Sequence, residues 1–181
     1  MAKENIKSLG IDLSLVGTGI VLLNEGKIES KQLIKSKPSG DLPIDELKRI
    51  RFIVDKIEDV TTEDLPAIAV IEGLAFMARN STALVQLSAL NYMTRSLLFE
   101  YKIPFVIVAP TSLKKFITGS GAAKKDVMLI ETFKRYGVTI LDDNENDAYG
   151  LAQIGLALLG GNSKNTTVKQ KEVLELLSKQ L

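Results

Sequence analysis

The sequence predicts an α/β domain built on a mixed β-sheet flanked by helices. Three observations predict it. Near the N-terminus, apolar runs broken by turn residues read as an antiparallel meander. Two later apolar runs, 67–72 and 104–108, are unbroken, as suits strands covered on both faces. Between and after them, apolar residues recur at helical spacing. The 181 residues suffice for one domain with a substantial core, and the 45% hydrophobic and 25% charged fractions are those of a globular chain.

In order, residues 6–14 read as a buried strand and 17–23 as a second one. Asn24-Glu25-Gly26 is a hairpin turn leading to a third strand over 27–34. Residues 38–43, with Pro at both ends and Gly40 inside, form a loop. Leu47, Ile50, Val54 and Ile57 then mark an amphipathic helix ending near Thr61. Pro66 precedes the strand 67–72. Residues 81–100 form a long helix bearing Leu84, Leu87, Leu90, Met93, Leu97 and Leu98. Apolar side chains around so much of a helix call for cover on more than one side, from a core or a second subunit. After the strand 104–108, Pro110 and Thr111 open a helix carrying Lys114 and Lys115. Gly119-Ser120-Gly121 is a loop, and a further helix spans 124–136. The last core helix covers 143–159, with Ala148, Leu151, Ala152, Gly155, Leu156 and Leu159 on one stripe, and Gly160-Gly161 ends it. Residues 1–161 thus form one domain. Residues 162–181 form a polar linker and an amphipathic helix bearing Leu174, Leu177 and Leu181.

The chain has neither cysteine nor histidine. That excludes disulfides, thiolate or imidazole zinc sites, and Ser-His-Asp or Cys-His catalysis. Acid–base or metal chemistry must rest on Asp, Glu, Lys, Tyr or Asn, and hard oxygen ligands suit Mg²⁺ or Mn²⁺. A net charge of +1 means that a nucleic-acid partner would be held by local basic patches. No apolar run approaches the roughly 20 residues of a membrane span. With no export signal at residues 1–7, the expected location is the cytoplasm.

Three acids stand where acids are costly. Asp12 lies inside the first predicted strand, between Ile11 and Leu13. Glu72 ends the apolar run Ile68-Ala69-Val70-Ile71, and Asp147 shares the buried stripe of the last helix. Each has an ordinary explanation: a turn cap or lysine pair, a strand end emerging into water, or compensation of a helix dipole. Two acids ending two core strands nevertheless point toward a shared site. Asp143 and Asn144, four and three positions before Asp147, can share its helix face, whereas Glu145 points away. Carboxylates converging without a basic partner repel one another unless a cation sits among them. A pair of Mg²⁺ ions in such a site is the arrangement that supports phosphodiester cleavage.

These residues resemble a known family. Gly10-Ile11-Asp12-Leu13-Ser14 with Gly17-Thr18-Gly19 resembles the opening strand and turn of RuvC-type Holliday-junction resolvases. Residues 71–80, beginning Ile71-Glu72-Gly73 and including Phe76 and Arg79, resemble their second acidic strand end and its loop. Ser112-Leu113-Lys114-Lys115 through Gly119-Ser120-Gly121 to Lys124-Lys125 resembles their basic helix-loop-helix stretch. Asn146-Asp147-Ala148-Tyr149-Gly150-Leu151-Ala152 resembles their final catalytic helix. The small size and variable loops look like those of a phage-encoded relative.

The resemblance implies an RNase H-like fold, a homodimer, and Mg²⁺-dependent cutting of branched DNA, with Mn²⁺ able to substitute. It implies Asp12, Glu72 and Asp147 as metal-binding acids. The family's fourth ligand falls on Asn144; either its amide oxygen serves or Asp143 replaces it, the charged oxygen being favoured. It implies DNA contacts by Lys114 and Lys125, with Lys115 and Lys124 beside them and Arg79 on phosphate. Lys125 would also act at the scissile phosphate as a catalytic residue. Phe76 matches an aromatic wedge, displaced by one residue. The ordinary fates of these side chains are a solvated helix face for the lysines and core packing for Phe76. The 81–100 helix is the expected dimer surface, which the tail helix would enlarge.

Two other readings remain open on sequence. A branched-DNA-binding protein whose cleavage is weakened by Asn144 would bind junctions without cutting them in Mg²⁺. An actin-like ATPase or kinase fragment would share the Gly10–Gly19 pattern but needs two domains around a nucleotide, and ATP turnover would reveal it.

Overall fold

The computed structural model describes residues 6–74, 82–161 and 166–181. Five strands, β1 (Lys7–Asp12), β2 (Gly17–Asn24), β3 (Lys27–Lys35), β4 (Ile68–Glu72) and β5 (Phe105–Val108), form one sheet in the order β3-β2-β1-β4-β5. The first three pair antiparallel, whereas β4 and β5 join β1 in parallel. The hairpin turn is as the sequence predicts: Asn24 pairs with Lys27, and Glu25 and Gly26 both take positive φ, 49° and 89°.

Helices α1 (Pro43–Glu63) and α2 (Thr82–Glu100) cover one face of the sheet. There Leu9, Ile11, Ala69 and Ile71 pack with Ile50, Ile53 and Ile57 of α1 and Leu90, Leu97 and Leu98 of α2. The other face carries α3 (Pro110–Thr118), α4 (Lys125–Tyr136), α5 (Asp143–Leu158) and α6 (Val168–Leu177). Val70, Val106 and Val108 meet Leu113, Phe116, Met128, Leu151 and Ile154 on that side. Val21 and Leu23 pack there against Ala148, Tyr149 and Ala152.

Helix α5 lies directly on the strands because glycine lets it. A Cβ on Gly10 would fall 2.0 Å from the Ala148 carbonyl oxygen, and one on Gly19 would fall 2.2 Å from the Asn144 carbonyl oxygen. From the helix side, a Cβ on Gly155 would fall 2.1 Å from Ser8 Oγ. This contact order runs α5 antiparallel to β1, so the first turn of α5 arrives at the carboxyl end of β1.

Two details differ from the sequence reading. Strand β1 ends at Asp12 rather than residue 14, because a polar turn takes over: the Thr18 hydroxyl donates to the Ser14 carbonyl at 2.7 Å and accepts from the Ser14 amide at 3.2 Å. Leu47 is exposed, so the buried stripe of α1 starts at Ile50. Within the single chain, helix α2 buries one side and leaves Val85, Tyr92 and Phe99 65%, 66% and 77% exposed.

Helix α6 packs onto the domain. Val173 and Leu177 enter the cluster of Leu113 and Phe116, and Glu172 pairs with Lys115 at 2.6 Å. Thr167 and Gln170 cap its start reciprocally. A 3₁₀ turn follows over Ser178–Gln180. The Gln180 amide accepts from the Ile107 N–H at 2.9 Å and donates to the Ile107 carbonyl at 3.0 Å, closing the outer edge of β5. Among the described residues, no helix is long and apolar enough to cross a membrane.

Candidate active site

Strand register brings the first two acids together. Ile11 pairs with Ile71 in the parallel β1–β4 ladder, so Asp12 and Glu72 follow side by side at the carboxyl ends of adjacent strands. Strands spaced about 4.8 Å apart place such neighbours within interaction range. Alternation sets their face: Gly10 meets α5 and Val70 meets Gly155 of α5, so Asp12 and Glu72, two residues further on, point to the same side. The antiparallel run of α5 brings Asp147 there as well.

The electrostatics record this meeting. Asp12 is 6% exposed, and its carboxyl is pushed up to about 8. Burial is the largest cause, followed by the Glu72 charge and a hydrogen bond with Glu72, with Asp142 adding repulsion and Lys125 opposing. Glu72 is also raised by burial and by Asp147. Its hydrogen bond with Asp12 acts the other way. Asp147 is pushed up to about 7 by burial and then by Asp12, with Lys125, and more weakly Lys114, opposing.

Around these three stand further charges. Lys125 Nζ lies 3.1 Å from Asp143 Oδ2, and this bond, followed at a distance by Asp147 and Asp12, raises the lysine. Lys114 acts on both Glu72 and Asp147. Asp142 caps α5, accepting from the Asn144 and Glu145 amides at 2.9 and 3.1 Å, while its charge reaches Asp12. Sequence alone reads Asp142 as a helix cap, which it is, and gives no sign of its nearness to Asp12.

Not every expected residue joins the cluster. Asn144 lies beside Gly17, its Nδ2 3.1 Å from where a Cβ on that glycine would stand. Lys115 is engaged by Glu172 of α6, and Lys124 is exposed at the N-cap of α4. Phe76 and Arg79 lie outside the described residues. Among the described residues, no three acids are arranged as a ready coordination set. Asp12 and Glu72 hydrogen-bond each other, and Lys125 holds Asp143.

The donor chemistry nonetheless fits a hard divalent cation. Among the described residues the ligand atoms of the cluster are carboxylate oxygens, the buried acids repel one another, and a cation would relieve that repulsion.

The sequence matches the family model described as crossover junction endodeoxyribonuclease RuvC over residues 8–157. The chain belongs to the RuvC family. It is 28% identical over 160 residues to a crossover junction endodeoxyribonuclease RuvC of Carboxydothermus hydrogenoformans, spanning 86% of this chain and 99% of that one. It is 30% identical over 159 residues to the RuvC of Prochlorococcus marinus, spanning 82% and 96%. The structure of Thermus thermophilus RuvC in complex with a Holliday junction substrate superposes with a TM-score of 0.72 at 16% identity, over 89% of this chain and 98% of that one. The fold is therefore the RNase H-like fold of RuvC, as the resemblance implied. The family match contains nearly all of β1, all of β2 to β5 and nearly all of α5, with every acid of the cluster; α6 lies beyond it.

Proposed function

We propose that this RuvC-family chain is a structure-selective endodeoxyribonuclease that cuts Holliday junctions and other branched DNA by Mg²⁺-dependent phosphodiester hydrolysis. One observation carries the reading: Asp12, Glu72 and Asp147 converge at the carboxyl ends of two core strands, each pushed up by burial and by a neighbouring acid, with Lys114 and Lys125 beside them. Asp12, Glu72 and Asp147 would hold the ions, with Asp143 or Asn144 completing the set. Asp143 is the better candidate because it already shares the field of Asp147 and Lys125. When bound, the ions supply Lewis-acid stabilisation to the attacking and leaving oxygens, and Mn²⁺ can substitute.

The chain's own groups do the rest. Lys125 exchanges Asp143 for a non-bridging phosphate oxygen as negative charge develops there. Lys114 holds the same backbone, and Lys124 and Arg79 take flanking phosphates. Lys115 reaches DNA by leaving Glu172. Phe76 wedges at the branch point. The products carry 5′ phosphate and 3′ hydroxyl.

The protein acts as a homodimer through α2, presenting two sites to opposite strands of a symmetric junction. Val85, Tyr92 and Phe99 recur every seven residues on the exposed side of α2, an apolar stripe that a second copy would bury. Residues 1–161 form the nuclease domain, with 162–181 a linker and accessory helix, and the working compartment is the cytoplasm.

The test uses purified protein with labelled four-way, forked and linear duplexes, in Mg²⁺ and in EDTA. Cutting of the branched substrates in Mg²⁺ alone is expected. Junction binding without cutting would favour the binding-protein reading, and neither would end the proposal.

A further inference from the structure

Asn91 is fully buried on α2, on the sheet face opposite α5, beside Leu90 and among the apolar side chains that join α2 to the sheet. Its Nδ2 donates to the backbone carbonyl of Glu72 at 3.5 Å, a long hydrogen bond. Its Oδ1 is buried with no hydrogen-bond partner among the described residues. A buried amide with one half unsatisfied carries a desolvation cost that a leucine would not. The bond to Glu72 offsets part of that cost.

Glu72 is the last residue of β4. Beyond it the ladder continues on the β5 side, where the Gly73 amide donates to the Val108 carbonyl at 2.8 Å. On the β1 side the pairing stops at Ile11 and Ile71, one residue short of the two acids. The backbone of Glu72 is thus held on one side by the sheet and from beneath by Asn91, while its side chain reaches Asp12 on the α5 side.

We propose that Asn91 is a positioning residue that fixes the Glu72 backbone so that its carboxylate meets Asp12 and Asp147 in the geometry a divalent ion needs. The inference rests on the metal-site reading above. Because Tyr92, the next residue, lies on the exposed stripe of α2, the same bond ties the seating of α2 to the acidic cluster.

The test is Mn²⁺ titration of the full-length protein by calorimetry, together with thermal melting in EDTA. Asn91→Leu is expected to weaken Mn²⁺ binding by about three- to tenfold while melting at or above the wild-type temperature. A purely structural role predicts the reverse, a lower melting temperature with unchanged Mn²⁺ affinity. Asn91→Ala, which removes the donor without adding bulk, replaces the leucine variant if that one does not fold. Wild-type Mn²⁺ affinity in a folded Asn91 variant overturns the inference. Asp12→Asn separates the two readings. If it abolishes Mn²⁺ binding while the Asn91 variants bind normally, only the role of Asn91 falls; if it too binds normally, the metal site falls and takes this inference with it.

Discussion

The acidic cluster and the C-terminal segment lie on the same side of the sheet and are built on opposite terms. In the tail, polar groups are matched: Thr167 and Gln170 cap each other, Glu172 pairs with Lys115, and both hydrogen-bonding groups of Ile107 meet the Gln180 amide. At the cluster, Asp12, Glu72 and Asp147 are buried beside one another, and each is held toward its protonated form. The structure satisfies its polar groups in one place and concentrates its electrostatic cost in the other.

The contrast breaks most visibly at Asp12. Asp12→Asn should lower single-turnover junction cleavage by more than about a hundredfold, since several kcal/mol of charge stabilisation are lost with it. Junction binding, measured by gel shift, should persist. The same substitution should stabilise the metal-free protein. Burial and the neighbouring acids push Asp12 up to about 8 and Asp147 up to about 7 in the folded chain, against an ordinary 3.8. Protonation therefore favours the folded state: this stability is fully present below the ordinary value and lost as pH rises through 7 to 8. In EDTA, the melting advantage of Asp12→Asn over wild type should grow from near zero at acid pH to its maximum above pH 8, and saturating Mg²⁺ should cancel it.

Gly10→Ala should come next. Its methyl group would collide with the Ala148 carbonyl, costing about 3 kcal/mol and displacing α5 with Asp147, so denaturant melts and cleavage should fall together. Lys114→Ala and Lys125→Ala should each reduce the slope of log affinity against log salt by about 0.9, whereas Lys115→Ala should reduce it less because Glu172 already competes for that charge. The smallest effect belongs to the tail. Gln180→Ala should cost about 1–2 kcal/mol and release the Ile107 amide to faster hydrogen exchange without altering cleavage.

Much of this was legible in the sequence. The strands, the hairpin at Asn24 to Gly26 and the helices follow from apolar period and turn residues, and Asp12, Glu72 and Asp147 were conspicuous because each interrupts an apolar pattern. Their convergence was not legible from pattern alone. It depends on the parallel register of β1 and β4 and on the close approach of α5 at Gly10 and Gly19, which are tertiary facts. Asp142, Asn91 and the pairing of Lys115 with Glu172 escaped for the same reason. An acid before a helix reads as a cap, an asparagine in an apolar helix has no periodic signature, and a lysine's partner 57 positions away cannot be inferred from spacing.

The most direct measurement is the anomalous difference map of crystals soaked in Mn²⁺. Density bounded by the carboxylates of Asp12, Glu72 and Asp147, and lost in Asp12→Asn crystals, is the expected result. Cleavage-competent protein whose Mn²⁺ binds away from these three acids would contradict the assignment.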